Sequence, residues 1–435
     1  MSAELLLGVG VGLMLSGISA IIPGLHPYNL VAALLFSLPE WGRSLPADGG
    51  LGLGIGVAAG YAFFHLAPAV FYQTPDEGTM GLLLPAQKAL REGWGQEAVR
   101  WAGWGAWGAV MLLLLSAPFW PRGWAALRAV LAPHVGWILL ALSAFLLLSE
   151  WPWGAERLPT PGRRLIAIWT RLGAGVITFL LSGALGFLLL ARNPLTGPLA
   201  GQPLIPAFLG LFAVPGLLQA MTGSRPVPPR PSGEELPLGI WARGVGAGLL
   251  GGVFVVLFPG VTAGIGGLLA GHATAQRDDR AFLVAQGAAR AFCSIGVFWL
   301  LLLPDAPAAR GGLGIMLAPW AGPATPDRYR AAVLATAGAA ALAFLMMEPL
   351  AWGMSRWVAS RAWRGVYAAA LVLILLSVAW LGGIPGLTVL LAASGIGLLP
   401  SLTGSRRLNT LGVILVPLTL RRLGLEGVVW PILGL

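Results

Sequence analysis

Apolar runs follow one another along the whole of this chain, near residues 4–22, 50–71, 102–118, 124–149, 165–191, 204–221, 238–258, 281–303, 329–348, 364–381, 383–400 and 409–420. A helix needs roughly 20 apolar residues to cross a hydrocarbon core about 30 Å thick. Several of these runs are short or broken by Gly and Pro. The expected fold is therefore an all-α polytopic membrane protein with about ten to twelve transmembrane helices. Composition agrees. The 435 residues are 57% hydrophobic and 10% charged, with mean hydropathy +0.80, whereas a soluble domain carries roughly 25% charged residues. The 19 Trp and 5 Tyr suit interfacial belts, where ring and polar tip meet different solvents. The N-terminal MSAELLLGVGVGLMLSG has no basic start and carries Glu4. It reads as a retained first membrane helix rather than a cleaved signal peptide.

The formal net charge of +10 would point to nucleic acid in a soluble protein. In a membrane chain it reads as loop charge facing anionic headgroups, so no nucleic-acid partner is expected. Arg163, Arg164, Arg171, Arg406, Arg407, Arg421 and Arg422 are read in this way. Cys293 is the single cysteine, which excludes an internal disulfide and a multi-cysteine metal site. The histidines are His26, His65, His134 and His272, and none has zinc-enzyme spacing. No histidine–acid or serine–histidine arrangement on one face suggests catalysis. The expectation is a non-enzyme without metal or cofactor.

The segment IIPGLHPYNL at 21–30 breaks a helix inside an otherwise apolar stretch. FPGVTAGIGG at 258–267 does the same in the second half. Pro23 aligned on Pro259, an offset of 236, also lays GVGVGL at 8–13 on GVGAGL at 244–249. Gly8, Val9, Gly10, Gly12, Leu13, Pro23 and Gly24 then find identical partners. The polar stretch TGSRPVPPRPSGEELP at 222–237 lies between the halves. We expect two repeats, 1–221 and 238–435, joined by that linker and of inverted topology. A helix broken at membrane depth leaves peptide groups that hydrocarbon cannot satisfy, so it survives only within protein or beside a watery cavity. Matching breaks in two repeats point to a transporter's binding site. Each break is expected to form a re-entrant half-helix, starting at Pro27 in the first and capped by Thr262 in the second. The ridges Gly8, Gly12, Ser16 and Gly244, Gly248, Gly252 are expected to serve helix packing.

The order PGLHP, then FYQTPDEGTMGLLLPAQKALREGWGQEAVR at 71–100, then FPGVTAG and QGAARAF, resembles the TctA family. That family is the large permease subunit of tripartite tricarboxylate transporters, and the chain is most similar to its stand-alone archaeal and bacterial branch. The matching residues are Pro23 to Pro27, Pro75 to Thr79, Leu84 to Gly93, and Pro259 to Thr262, and the resemblance covers both halves. Two positions depart from the pattern: Tyr28 precedes Asn29, and the helix after the second break carries Arg290. The resemblance implies a permease in a prokaryotic plasma membrane. It brings in a periplasmic binding protein and a small membrane subunit as partners, neither required by the stand-alone branch, and leaves a homo-oligomer open.

Arg290 is the charge least at home in its surroundings. Counted from Asp279, it lies roughly 16 Å into a helix at 1.5 Å per residue. An arginine at such depth costs about 2.5–3.5 kcal/mol on insertion scales unless it faces a partner or a cavity. The readings are a counter-charge for an anionic substrate and a structural arginine, paired with a carbonyl or Glu348 or snorkelling from a tilted helix. The expected substrate site comprises Pro23, Gly24, His26, Asn29, Pro259, Gly260, Thr262, Gln286 and Arg290. Asp76, Glu77, Thr79 and Glu348 are candidates for coupling to Na+ or H+, with solvated loop or helix-end charge as the plainer reading. The expected function is ion-coupled alternating-access transport of a small organic anion of the carboxylate class. The alternative is translocation of an anionic lipid headgroup such as polyprenyl phosphate.

Overall fold

The computed structural model describes residues 1–37, 45–152, 154–223, 235–303, 310–320, 322–358 and 363–432. Among these residues all regular secondary structure is helical. Nine helical stretches among them are long and apolar enough to cross a membrane. Two of the nine, Gly95–Leu148 and Trp363–Thr403, run to 54 and 41 residues. Each is interrupted, the first by tight turns at Ala117–Phe119 and Ala132–His134, the second at Gly383 with φ 58°. Among the described residues the count is thus nine such stretches, against the ten to twelve crossings expected.

The chain divides into two compact units, residues 1–129 with 216–374 and residues 130–215 with 375–435. Each draws on both halves of the sequence. Most of the expected linker at 222–237 lies outside the described residues.

We number eight helices of the first unit in chain order: α1 (Ala3–Ile21), α2 (Pro27–Ser37), α3 (Ala47–Phe64), α4 (Gly95–Ser116), α5 (Leu238–Leu257), α6 (Ala263–Ala273), α7 (Asp279–Trp299) and α8 (Pro326–Val358). Helix α1 packs on α3 and α5 on α7, while α4 lies against α7 and α8 against α3. Lipid tails are as apolar as leucine, so membrane helices associate by close packing and hydrogen bonds rather than by hydrophobic burial. The sequence supplies this with small residues. A Cβ on Gly8 or Gly12 would run into the Gly49 or Leu53 carbonyl of α3. A Cβ on Gly244 or Gly248 would meet Ala281 or Ala285 of α7. Ser16 donates to the Val57 carbonyl at 3.1 Å. The two glycine ridges are thus packing seams, as expected. A third seam was not legible: Gly105 of α4 and Gly287 of α7 each press on the other helix's backbone, at Val284 and Ala102 respectively.

Both breaks turn in the same way. After α1 the Leu25 N–H bonds the Ile22 carbonyl at 3.2 Å, and Gly24 takes φ 74°. After α5 the Val261 N–H bonds the Phe258 carbonyl at 3.4 Å, and Gly260 takes φ 79°. Only glycine enters that left-handed region without strain. Helix α2 restarts at Pro27, whose missing N–H is no loss in a first turn. Helix α6 restarts after Thr262, whose Oγ1 accepts from the Ile265 N–H at 3.5 Å. With 11 residues α6 is about 16 Å long, too short to span. Asp278 caps α7 by accepting the Arg280 N–H at 2.8 Å, which sets Arg290 eleven residues beyond Asp279. Helix α8 continues through Pro349 instead of ending there. A proline removes one hydrogen bond, and neighbouring groups in a membrane bundle re-satisfy the freed carbonyl.

The second unit is built on Val135–Leu148, Pro161–Arg192, Gly412–Arg422 and the helical residues 204–215 and 375–403. Gly186 lets Pro161–Arg192 approach the Val413 carbonyl directly. Buried Glu150 accepts from the Arg406 N–H at 2.6 Å and the Asn409 amide at 2.8 Å, with Arg171 Nε at 3.5 Å. Of the arginines read as interfacial charge, Arg171 therefore turns its guanidinium to a buried carboxylate, while the Arg406 side chain donates to the Ser149 hydroxyl at 3.1 Å.

Candidate functional site

The Arg290 side chain is 1% exposed. Its Nε donates to the Tyr61 carbonyl at 3.0 Å, and its guanidinium lies over the Tyr61 ring, 3.9 Å from the centroid. Its Nη1 is 3.4 Å from Asp76 Oδ1. Its Nη2 is buried and has no hydrogen-bond partner. A buried guanidinium with one unused corner is a donor waiting for an acceptor, because an unmade bond there forfeits the desolvation cost of the group. Structural pairing and ligand binding are thus compatible in one side chain. The charge partner is Asp76, not Glu348.

Asp76 and Glu77 come from the segment between the α3 region and the turn at Met80–Leu82. Asp76 Oδ1 accepts the Gly78 and Thr79 N–H groups at 3.0 and 2.8 Å and the Thr79 hydroxyl at 2.8 Å. Its Oδ2 accepts from the Tyr61 hydroxyl at 2.9 Å. The Thr79 hydroxyl in turn accepts from the Asp76 N–H at 3.0 Å. Burial alone would raise the Asp76 carboxyl. Arg290 and these donors outweigh it and hold the group well below the usual carboxylate range. Glu77 goes the other way: burial, then the Asp76 charge, push it up to about 8. His26 Nε2 faces both acids, 3.8 Å from Asp76 Oδ2 and 3.6 Å from Glu77 Oε1. His26 Nδ1 accepts the Tyr28 N–H at 3.2 Å, and its ring lies 4.5 Å from that of Tyr61.

Gln286 sits one turn before Arg290, 1% exposed, with neither amide atom hydrogen-bonded. Its amide is clasped by two glycines. A Cβ on Gly81 or on Gly267 would lie 2.5–2.6 Å from its Oε1, Cδ and Nε2. Gly267 belongs to α6, and Gly264 of the same helix faces the Glu77 carbonyl, 2.9 Å from where a Cβ would sit. Segments following both breaks therefore meet the 73–81 stretch and α7 at one place, inside the first unit.

The structure brings together His26, Asp76, Glu77, Thr79, Gln286 and Arg290. Pro23, Gly24, Pro259 and Gly260 shape the two turns, and Thr262 caps α6. Asn29 has a buried amide nitrogen without a partner. Glu348 stands elsewhere, half-exposed and paired with Arg100 of α4. An exposed ion pair contributes about 0–1 kcal/mol. Glu348→Gln is accordingly expected to shift thermal unfolding by no more than that and to leave ligand binding unchanged, as a melting curve with and without ligand would show.

Sequence reasoning missed Tyr61, Tyr28 and His65. Tyr61 touches Arg290 in two ways and Asp76 in a third. His65 is buried one turn further along and bonds Ser19 at 2.9 Å. Their spacing of four, which puts both on one face of a helix, was the available signal. It was lost in the apolar run GYAFFHLAPAV.

Nine spanning stretches among the described residues and a buried charged cluster define a multi-pass membrane protein. The model of the Tripartite tricarboxylate transporter TctA family matches residues 5–412, and the chain belongs to that family. The family is one of transporters, as the motifs of both halves implied. An uncharacterised protein of Methanocaldococcus jannaschii is 33% identical over 107 residues, 24% of this chain and 26% of that protein. The chain thus spans about a quarter of the length of this curated relative. No solved structure matches.

Proposed function

We propose that this protein is a secondary transporter that moves a small organic anion of the carboxylate class by ion-coupled alternating access. Its binding site is the place where the two breaks meet Arg290. The observation that carries this reading is the pair of deeply buried, unsatisfied polar groups on one face of α7, Arg290 Nη2 and the Gln286 amide. A guanidinium edge and an amide are the donors a carboxylate needs. The similar turns at Gly24 and Gly260 support two re-entrant elements of a duplicated, inverted architecture, with the polar cavity that such breaks require. The membrane is a prokaryotic plasma membrane. A periplasmic binding protein and a small membrane subunit deliver cargo if the chain works in a tripartite system.

Thermal unfolding of the detergent-solubilised protein tests the reading, with di- and tricarboxylates and short-chain polyprenyl phosphates as ligands. A carboxylate present at 100 times its Kd is expected to stabilise the fold by about 2.7 kcal/mol. Arg290→Lys keeps a cation for Asp76 but loses the planar fork. It is expected to fold and to lose at least tenfold in affinity. Stabilisation by the lipid phosphate alone would replace the solute reading with the lipid one.

A further inference from the structure

We propose that Glu77 is the residue that carries the coupled proton, taking it up and releasing it opposite the His26 imidazole; this deepens the transporter reading and rests on it. The charges in the cluster set the argument. Arg290 and Asp76 cancel one another, and Asp76 is committed: every close partner of its oxygens is a donor. Glu77 adds a second acid beside Asp76 with no cation of its own. An uncompensated buried charge is costly, and such a group takes a proton instead.

The same geometry favours a proton over a metal cation. His26 Nδ1 accepts the Tyr28 N–H, so the neutral ring carries its proton on Nε2, the atom facing both acids. A sodium ion there would meet an N–H, and the Asp76 oxygens are already taken by donors. A proton needs only Glu77 itself. Access fits as well. Glu77 keeps 21% of its side chain reachable by solvent and His26 13%, against 1% for Arg290. The proton carrier is less enclosed than the counter-charge.

The unsatisfied Arg290 Nη2 and Gln286 amide are the independent sign of a ligand beside these acids. An anion arriving there adds negative charge next to Glu77. It is tolerated when Glu77 is neutral and repelled when Glu77 is ionised, so each ligand strengthens binding of the other. The titratable groups around Glu77 are His26 and Tyr28 after the first break, Tyr61 and His65 of the α3 region, Asp76 beside it, and Arg290 and Cys293 of α7. From α6, Gly264 faces the Glu77 carbonyl. Burial and the Asp76 charge raise the Glu77 carboxyl, so it releases its proton at a higher pH than an ordinary carboxyl. A carboxyl raised on folding stabilises the protein fully below its unfolded value near 4.5. That contribution disappears as pH rises through about 8.

The test uses infrared difference spectra of the purified protein without ligand, titrated from about pH 5 to about pH 9. The wild type is expected to show a protonated-carboxyl C=O band that disappears across this interval. Glu77→Gln is expected to lack it, and Glu77→Asp to restore a shifted one. A band that survives unchanged in Glu77→Gln, or a wild type without one, overturns the proposal. The second arm is citrate flux in proteoliposomes. The wild type should be accelerated by an imposed pH gradient, and Glu77→Gln should lose that acceleration. A Glu77→Gln protein still driven by the gradient also overturns it. If the wild type carries no citrate or other carboxylate, the transporter reading fails on its own, and the infrared result still decides whether Glu77 holds the proton.

Discussion

Arg290→Ala is expected to destabilise the folded protein by about 3–5 kcal/mol, the usual consequence of removing one partner of a buried ion pair. The loss has three parts on the structure. Asp76 keeps its negative charge in a buried site without its cation. The Tyr61 carbonyl loses the Nε donor, and the Tyr61 ring loses the guanidinium above it. A second substitution separates these parts. Asp76→Asn in the Arg290→Ala background removes the stranded charge and is expected to return most of the stability, because a neutral pair costs far less to bury than a single ion. Asp76→Asn alone should be damaging, since it leaves Arg290 unpaired. Denaturation midpoints of the four proteins form a double-mutant cycle, and strong coupling is the expected result. Additive losses would mean that the 3.4 Å contact contributes little.

The second large effect is expected at Gly287. A side chain there meets the backbone of Ala102 in α4, not a movable side chain, and Gly105 presses back on Val284. Overpacking costs typically about 1–3 kcal/mol and occasionally more. Gly287→Val should lie at or above the upper end, because backbone cannot rotate away. It should also weaken anion binding, since moving α7 outward displaces Gln286 and Arg290 together. Gly338→Ala is the control: α8 has nothing within 4 Å of that position, and alanine there is expected to be neutral or stabilising by roughly 0.5–1 kcal/mol. Expression, monodispersity and melting temperature of the two variants would check this contrast. Equal behaviour would show that α4 and α7 are not held at backbone distance.

The membrane class was legible from the apolar runs, because spanning length and the absence of charge are direct requirements of a hydrocarbon solvent. The turns at Gly24 and Gly260 were legible because proline and glycine fix backbone geometry locally. The start of α7 at Asp278 and the cap at Thr262 were legible because a short side chain bearing an oxygen ahead of an apolar run can accept a free first-turn N–H. Arg290 stood out because a charge at such depth has a large cost. Its partner did not, since Asp76 is 214 residues away in sequence and pairing over that separation is set by the packing of whole helices. Glu348 was given weight as an acid inside an apolar stretch, yet it pairs with Arg100 of α4. Tyr61 and His65 escaped because aromatic side chains inside an apolar run read as packing. The division into two units, each drawing on both halves of the chain, follows from helix contacts that no local pattern encodes.

The most direct test of the central claim is carboxylate uptake into proteoliposomes by the wild type, Arg290→Lys, Gln286→Ala and Glu348→Gln, each first shown to be folded. The account predicts uptake by the wild type and by Glu348→Gln, with a loss of at least tenfold in Arg290→Lys and in Gln286→Ala. Undiminished uptake in folded Arg290→Lys and Gln286→Ala proteins would place the anion elsewhere and contradict the site described above.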